Sequence, residues 1–218
     1  MSFGEEARLT IHPLCGYPSF DPGEFRDDDW KARYLVKAVK HDTEALSRSF
    51  VWMGKPPKKF NHENYQELVA AFHRWAAAKL KELAIAQPVL IAAPNSSAIV
   101  GSDADYPTKL AVEGIAEAYG EGCAPFTDVR FTHALPKAHQ GGSRNKYEIL
   151  EHLALTQPLP AGTPVLFDDV CSSGAHLFAV QKLIAPREVG LAIVCGRTVQ
   201  VPHASMLKMP AEEIVTYW

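Results

Sequence analysis

One segment constrains the fold more than any other. Thr163-Pro-Val-Leu-Phe167 is uncharged and ends on two acids, Asp168 and Asp169. Cys171-Ser-Ser-Gly174 then leads into a stretch of helical character reaching Ile184. Five residues are too few for a buried helix, and a short apolar run bounded by turn signals reads as a strand covered on both faces. The pattern recurs. Pro88-Val-Leu-Ile-Ala-Ala-Pro94 is a second such run, and Glu188-Val-Gly-Leu-Ala-Ile-Val-Cys195 a later one. Residues 127–134 make a further strand candidate. Helices are expected over 106–119, 147–155 and 174–184. Strands alternating with helices across short joins predict an α/β fold with a parallel sheet and right-handed crossovers. Ligands in such sheets bind beyond the carboxyl ends of the strands. The loops to watch are therefore 94–105, 135–146 and 168–174.

The N-terminal part reads differently. Residues 1–27 are rich in Pro, Gly and Asp and suggest an irregular arm. Residues 28–48 carry a rough apolar face, and Asp27, Asp28 and Asp29 favour a helix start by charge. After the break at Gly54-Lys-Pro-Pro57, the residues Tyr65, Leu68, Val69, Phe72, Ala76, Leu80 and Leu83 recur at helical spacing, as expected for core packing. The stretch beyond residue 200 has no clear pattern. The chain divides by this reading into an extension over 1–60, an α/β core over 61–200 and a C-terminal extension over 201–218.

Composition narrows the function. The 218 residues carry a formal net charge of -3 with no basic block, which argues against a nucleic-acid partner. Cys15, Cys123, Cys171 and Cys195 are scattered without zinc-knuckle spacing, and free thiols suit a reduced, cytoplasmic setting. No apolar run approaches a membrane span, and the first residues lack the apolar stretch of a secretory signal.

The chemistry sits in the 165–176 segment. A helix N-terminus offers backbone N–H groups and partial positive charge to a phosphate. Gly174 permits close backbone approach, and the Ser172 and Ser173 hydroxyls add donors. Asp168 and Asp169 would repel a phosphate but can accept hydrogen bonds from sugar hydroxyls and hold hydrated magnesium. By residue type alone, the segment also suits a plain helix cap or the diacid of phosphatase and receiver folds. The usual phosphatase pattern wants an acid two residues after its nucleophile, where Val170 stands. Cys171 reads as a spacer, although a nearby helix N-terminus can lower a thiol's pKa.

Leu166-Phe-Asp-Asp-Val-Cys-Ser-Ser-Gly-Ala-His176 resembles the phosphoribosyl pyrophosphate signature of the type I phosphoribosyltransferases. In that signature two apolar residues precede two acids, and a short loop ends in Thr or Ser followed by Gly. His176 departs from the hydroxyl residue usual at the end. The resemblance covers roughly residues 86–200 and implies a Rossmann-like phosphoribosyltransferase core with an N-terminal helical and irregular extension. Gln140, Arg144 and Asn145 before the next helix look most like the competence-associated ComF-type branch, without its N-terminal zinc knuckle.

The resemblance also implies roles. Asp168 and Asp169 would bind the ribose hydroxyls, with Mg2+ bridging ribose and pyrophosphate. Val170 and Cys171 would belong to the phosphoribosyl pyrophosphate site, and Ser172, Ser173, Gly174, Ala175 and His176 would hold the 5′-phosphate. Ala93, Pro94, Asn95 and Ser96 would form the pyrophosphate loop. Lys137, Arg144 and Lys146 would neutralise the leaving group as a basic loop closes. Arg197 would flank the base pocket. The 6-oxopurine enzymes carry a third acid at the position of Ser172, so hypoxanthine and guanine are disfavoured as acceptors. Adenine, orotate, pyrimidines and ammonia remain. The expected partners are phosphoribosyl pyrophosphate and a small nitrogenous acceptor, with a homodimer left open. Two other readings stay beside the enzyme: a non-catalytic phosphoribosyl pyrophosphate-binding regulator, and a ComF-type accessory protein in DNA uptake or handling.

Overall fold

The computed structural model describes residues 5–42, 44, 50–52, 58–134 and 145–218. In chain order the elements are β1 (Glu6–Pro18), α1 (Asp27–Val39), β2 (Phe50–Trp52), β3 (Lys58–Phe60), α2 (Gln66–Glu82), β4 (Pro88–Ala92), α3 (Pro107–Tyr119), β5 (Ala124–Phe126), β6 (Val129–Phe131), α4 (Lys146–Glu151), β7 (Leu153–Leu155), β8 (Thr163–Cys171), α5 (Ala175–Leu183), β9 (Leu191–Val199) and β10 (Glu212–Tyr217). The main sheet runs β10-β1-β9-β8-β4-β5, and only its β10 edge is antiparallel. The expected α/β class is the observed one.

The short apolar runs are strands for the reason expected. Leu90, Ile91, Val165, Leu166, Phe167 and Ala192 to Cys195 are inaccessible to solvent, because helices cover both faces. Helices α1, α2 and α3 cover one face through Val36, Phe72, Leu80 and Ile115. Helix α5 covers the other, where Leu177 and Phe178 meet Leu166 and Val194. Strand β4 leads through α3 to β5 on one side, and β8 leads through α5 to β9 on the other. The strand order thus reverses between β4 and β8, which opens a crevice at their carboxyl ends.

Several boundaries differ from expectation. Residues 6–18 are not an irregular arm. They form a 13-residue strand inside the sheet, with Leu9, Ile11 and Cys15 at 0% exposure. Its Pro and Gly residues hid the pattern. Helix α1 stops at Val39, far short of residue 48. His41 adopts a left-handed φ of 54°, His41 N–H donates to Ala38 O at 2.9 Å, and Asp42 N–H donates to Lys37 O at 3.0 Å. That is a Schellman stop with histidine in the position glycine usually takes. The strand expected over 127–134 shrinks to β6, paired antiparallel with β7, and β5, which joins the main sheet, precedes that range. The β6 pairing also ends α4 at Glu151, because Leu153–Leu155 is the partner strand. Strand β8 continues four residues beyond Phe167, since β9 keeps pairing with it: Asp168 opposite Val194, Val170 opposite Gly196, Cys171 opposite Arg197. The patternless C-terminus supplies β10, whose Ile214 lies opposite Leu9. Among the described residues, no helix is long and apolar enough to cross a membrane.

Candidate functional site

Strands β4 and β8 pair through Ala92 opposite Phe167, and Ala93 N–H donates to Phe167 O at 2.8 Å. Strand β4 leaves the sheet at this point, which brings the loop that starts at Ala93 beside the acidic pair. Strand β4 ends there while β9 carries on, so the acids are paired through their backbone on one side and open on the crevice side.

The two acids have different surroundings. Asp168 folds back on its own chain, its Oδ1 accepting from Asp169 N–H at 2.8 Å. Burial, and then the neighbouring Asp169 carboxylate, hold the Asp168 carboxyl well above the usual range, against an opposing pull from Lys40. Asp169 is 13% exposed, and its Oδ2 lies 2.9 Å from Lys40 Nζ at the end of α1. Burial pulls the Lys40 ammonium down, but Asp169 and Asp168 outweigh it, so its pKa is raised.

Past Cys171 the chain turns into α5. Gly174 caps the helix at φ 78°, a left-handed conformation that favours glycine. Ser172 and Ser173 are exposed, and Ser173 Oγ accepts from Ala175 N–H at 3.4 Å. Arg197, at the end of β9, braces this turn from behind. Its Nη1 donates to Cys171 O at 3.2 Å and also to Ser172 O, while its Nε pairs with Glu212 of β10. The Cys171 thiol is buried, and burial pushes its pKa up to about 12. It is an inert wall, so any ligand contact from this position comes through the backbone. His176 sits in the first turn of α5 in a T-shaped contact with Phe131, centroids 6.3 Å apart. Burial lowers its pKa against a smaller opposing effect of Asp169, which favours a neutral ring.

The loop after β4 is shaped by its own hydrogen bonds. Asn95 Oδ1 accepts from Ser97 N–H at 2.9 Å, and Asn95 O accepts from Ala98 N–H at 2.9 Å. Thr108 of α3 donates to Ala93 O at 2.6 Å and anchors its start. Ala93 and Pro94 are buried, while Asn95 and Ser96 are half-buried at the crevice.

Structural comparison finds two crystal forms of a hypoxanthine phosphoribosyltransferase from Staphylococcus aureus. One overlays with a TM-score of 0.38 at 11% identity, covering 75% of this chain and 77% of the other. The second gives 0.41 at 12% identity, covering 74% and 81%. A likeness this distant decides neither activity nor substrate. No protein-family model matches the chain, and no curated protein matches it.

The structure thus gathers Asp168, Asp169, the 170–176 turn and the 93–96 loop at one crevice. Lys137, Gln140 and Arg144 lie outside the described residues. Lys146 is engaged elsewhere: it donates to Thr216 and to Tyr217 O (2.6 Å), between the rings of Tyr147 and Trp218. Asn145 caps α4 by accepting from Tyr147 N–H at 3.0 Å. One residue escaped sequence reasoning. Lys40 carries no motif and reaches the acids only because α1 stops where it does. Arg197, expected beside the base, is seen to prop the turn, a role visible only once β8 and β9 are paired.

A magnesium ion fits this site in part. Two adjacent, half-buried carboxyls, Asp168 and Asp169, can offer oxygens to a cation. Among the described residues no three His, Cys, Asp or Glu side chains converge as a metal cluster. The pair would therefore need oxygens from ligand and water to complete a magnesium shell, which is the ion's usual habit.

Proposed function

We propose that the chain is a phosphoribosyltransferase that takes phosphoribosyl pyrophosphate with Mg2+ and joins its ribose to a nitrogen acceptor other than a 6-oxopurine. One observation carries this reading: a diacid at the strand-order reversal is followed directly by a left-handed Gly174 turn into the N-terminus of α5. The arrangement suits one ligand with a diol at one end and a phosphate at the other. Asp168 and Asp169 accept from the ribose hydroxyls and would hold Mg2+. The exposed Ser172 and Ser173 hydroxyls and the backbone around Gly174 take the 5′-phosphate. Backbone groups of Ala93 to Ser96 face the pyrophosphate, and Lys137 and Arg144 neutralise it as it leaves.

In the reaction the bond from ribose C1 to pyrophosphate breaks, and pyrophosphate departs with the electron pair. The acceptor nitrogen bonds to C1 and releases its proton to solvent. Bound Mg2+ would screen the charge that builds on pyrophosphate. The carboxylates stabilise the cationic sugar that develops between bond breaking and bond making, so fixed charge does more than covalent chemistry. Ser172 cannot deprotonate a base in the way an acid at that position could, which is why 6-oxopurines are set aside.

His176 supports a second reading, a binder without turnover, because imidazole replaces a compact hydroxyl beside the phosphate turn. A role in DNA handling has less support, since the chain is net negative.

Pyrophosphate release across adenine, orotate, uracil, ammonia and hypoxanthine separates these readings. The enzyme reading predicts magnesium-dependent release with one of the first four and none with hypoxanthine. It also predicts a loss of roughly 10²–10³-fold for Asp169→Asn. Tight binding with no release from any acceptor points to the binder, and release driven by hypoxanthine alone contradicts the role given to Ser172.

A further inference from the structure

Lys40 is held at the acidic pair by the fold. Its Nζ lies 2.9 Å from Asp169 Oδ2, with side-chain exposures of 35% for Lys40 and 13% for Asp169. The Schellman stop fixes the backbone on either side of it through His41 N–H to Ala38 O and Asp42 N–H to Lys37 O. The other lysine on this turn does not compete, since Lys37 pairs with Asp42 at 2.6 Å. The contact joins the end of α1 to the carboxyl end of β8, more than a hundred residues apart in sequence.

A resident cation changes what the pair accepts. A bare divalent ion approaching Asp168 and Asp169 meets a like charge a few ångströms away, in a partly desolvated site where repulsion is weakly screened. A divalent ion already wrapped by a diphosphate ester carries net negative charge, and the same ammonium attracts it. We propose that Lys40 sets the order of binding: it turns the bare divalent ion away from Asp168 and Asp169 and admits the metal as a complex with an anionic diphosphate ligand. This rests on the acidic pair being the metal-binding part of the site.

The test uses Mn2+ alone, followed by the paramagnetic resonance of the free ion, with no phosphate ligand present. The wild-type chain should bind Mn2+ weakly. Lys40→Met should bind it about tenfold more tightly or better, Lys40→Arg should stay near wild type, and Lys40→Met/Asp169→Asn should lose the gain. The end of α1 is made by backbone bonds and the Lys40 side chain is a third exposed, so the substitution leaves the helix stop in place. Lys40→Gln, which also removes the charge, serves if the Met variant does not fold. Tight binding of bare Mn2+ by the wild-type chain overturns the proposal with no variant needed. So does a Lys40→Met affinity equal to wild type, or an equal gain in Lys40→Arg. Phosphoribosyl pyrophosphate is absent throughout, so failure here is distinct from failure of the transferase reading, which shows as a chain that does not bind that ligand.

Discussion

Asp168 and Asp169 are adjacent in sequence and unlike in their partners. Asp169 has the Lys40 ammonium, while Asp168 has a backbone N–H and a neighbouring like charge. Because the Asp168 pKa is raised in the folded chain, the folded state binds more protons than the unfolded one between the ordinary carboxylate range and that raised value. Stability from this group is thus fully present below the ordinary range and is lost as pH rises towards the folded pKa. Asp168→Asn keeps an oxygen for the Asp169 N–H and removes the charge. It should melt higher than wild type at pH 7 to 8, and the gap should close towards pH 3 to 4. Thermal melts across that range check the sign, and an unchanged or lower melting point at neutral pH contradicts it. The acids and the Ser-Ser-Gly turn were legible because their chemistry is local. The Lys40 contact was not, since no spacing rule links the end of one helix to a strand so far along the chain.

At the level of elements, the apolar runs predicted β4 and the start of β8, and the helical stripe predicted α2. The strand failures share a cause: a partner elsewhere in the chain decided the boundary. Strand β8 runs to Cys171 because β9 continues beside it, and β1 is a strand because β9 and β10 flank it. Helix α1 stops early because His41 accepts a conformation that its sequence does not advertise. Packing between α2 and α3 gives a test of this layer. A Cβ built on Gly114 would sit 2.1 Å from His73 Cε1 and 2.2 Å from Nδ1. The His73 ring is pressed between the helices, and burial lowers its pKa to about 4. Alanine is ordinarily the better helix former, but here Gly114→Ala should destabilise by roughly 1–3 kcal/mol through overpacking. Urea unfolding measures it, and a stabilised variant would show that the two helices do not approach so closely.

Across the whole molecule, the first and last strands, β1 and β10, pair in the sheet that carries the site. Strand β10 brings Glu212 to Arg197 and Ile214 against Gly174, while Arg26 at the start of α1 holds both the buried Asp29 and, at 2.6 Å, His203 O. The 168–176 turn is therefore braced by segments that looked patternless. The fold class could be read from the alternation of elements; the bracing could not, because it depends on which strands become neighbours. In the proposed function, this braced turn and its two acids bind a phosphorylated ribose with a metal. Calorimetry with phosphoribosyl pyrophosphate, with and without Mg2+, tests it most directly. Binding should require the metal and disappear in Asp168→Asn/Asp169→Asn. No magnesium-dependent heat, or binding unchanged in the double variant, would contradict it.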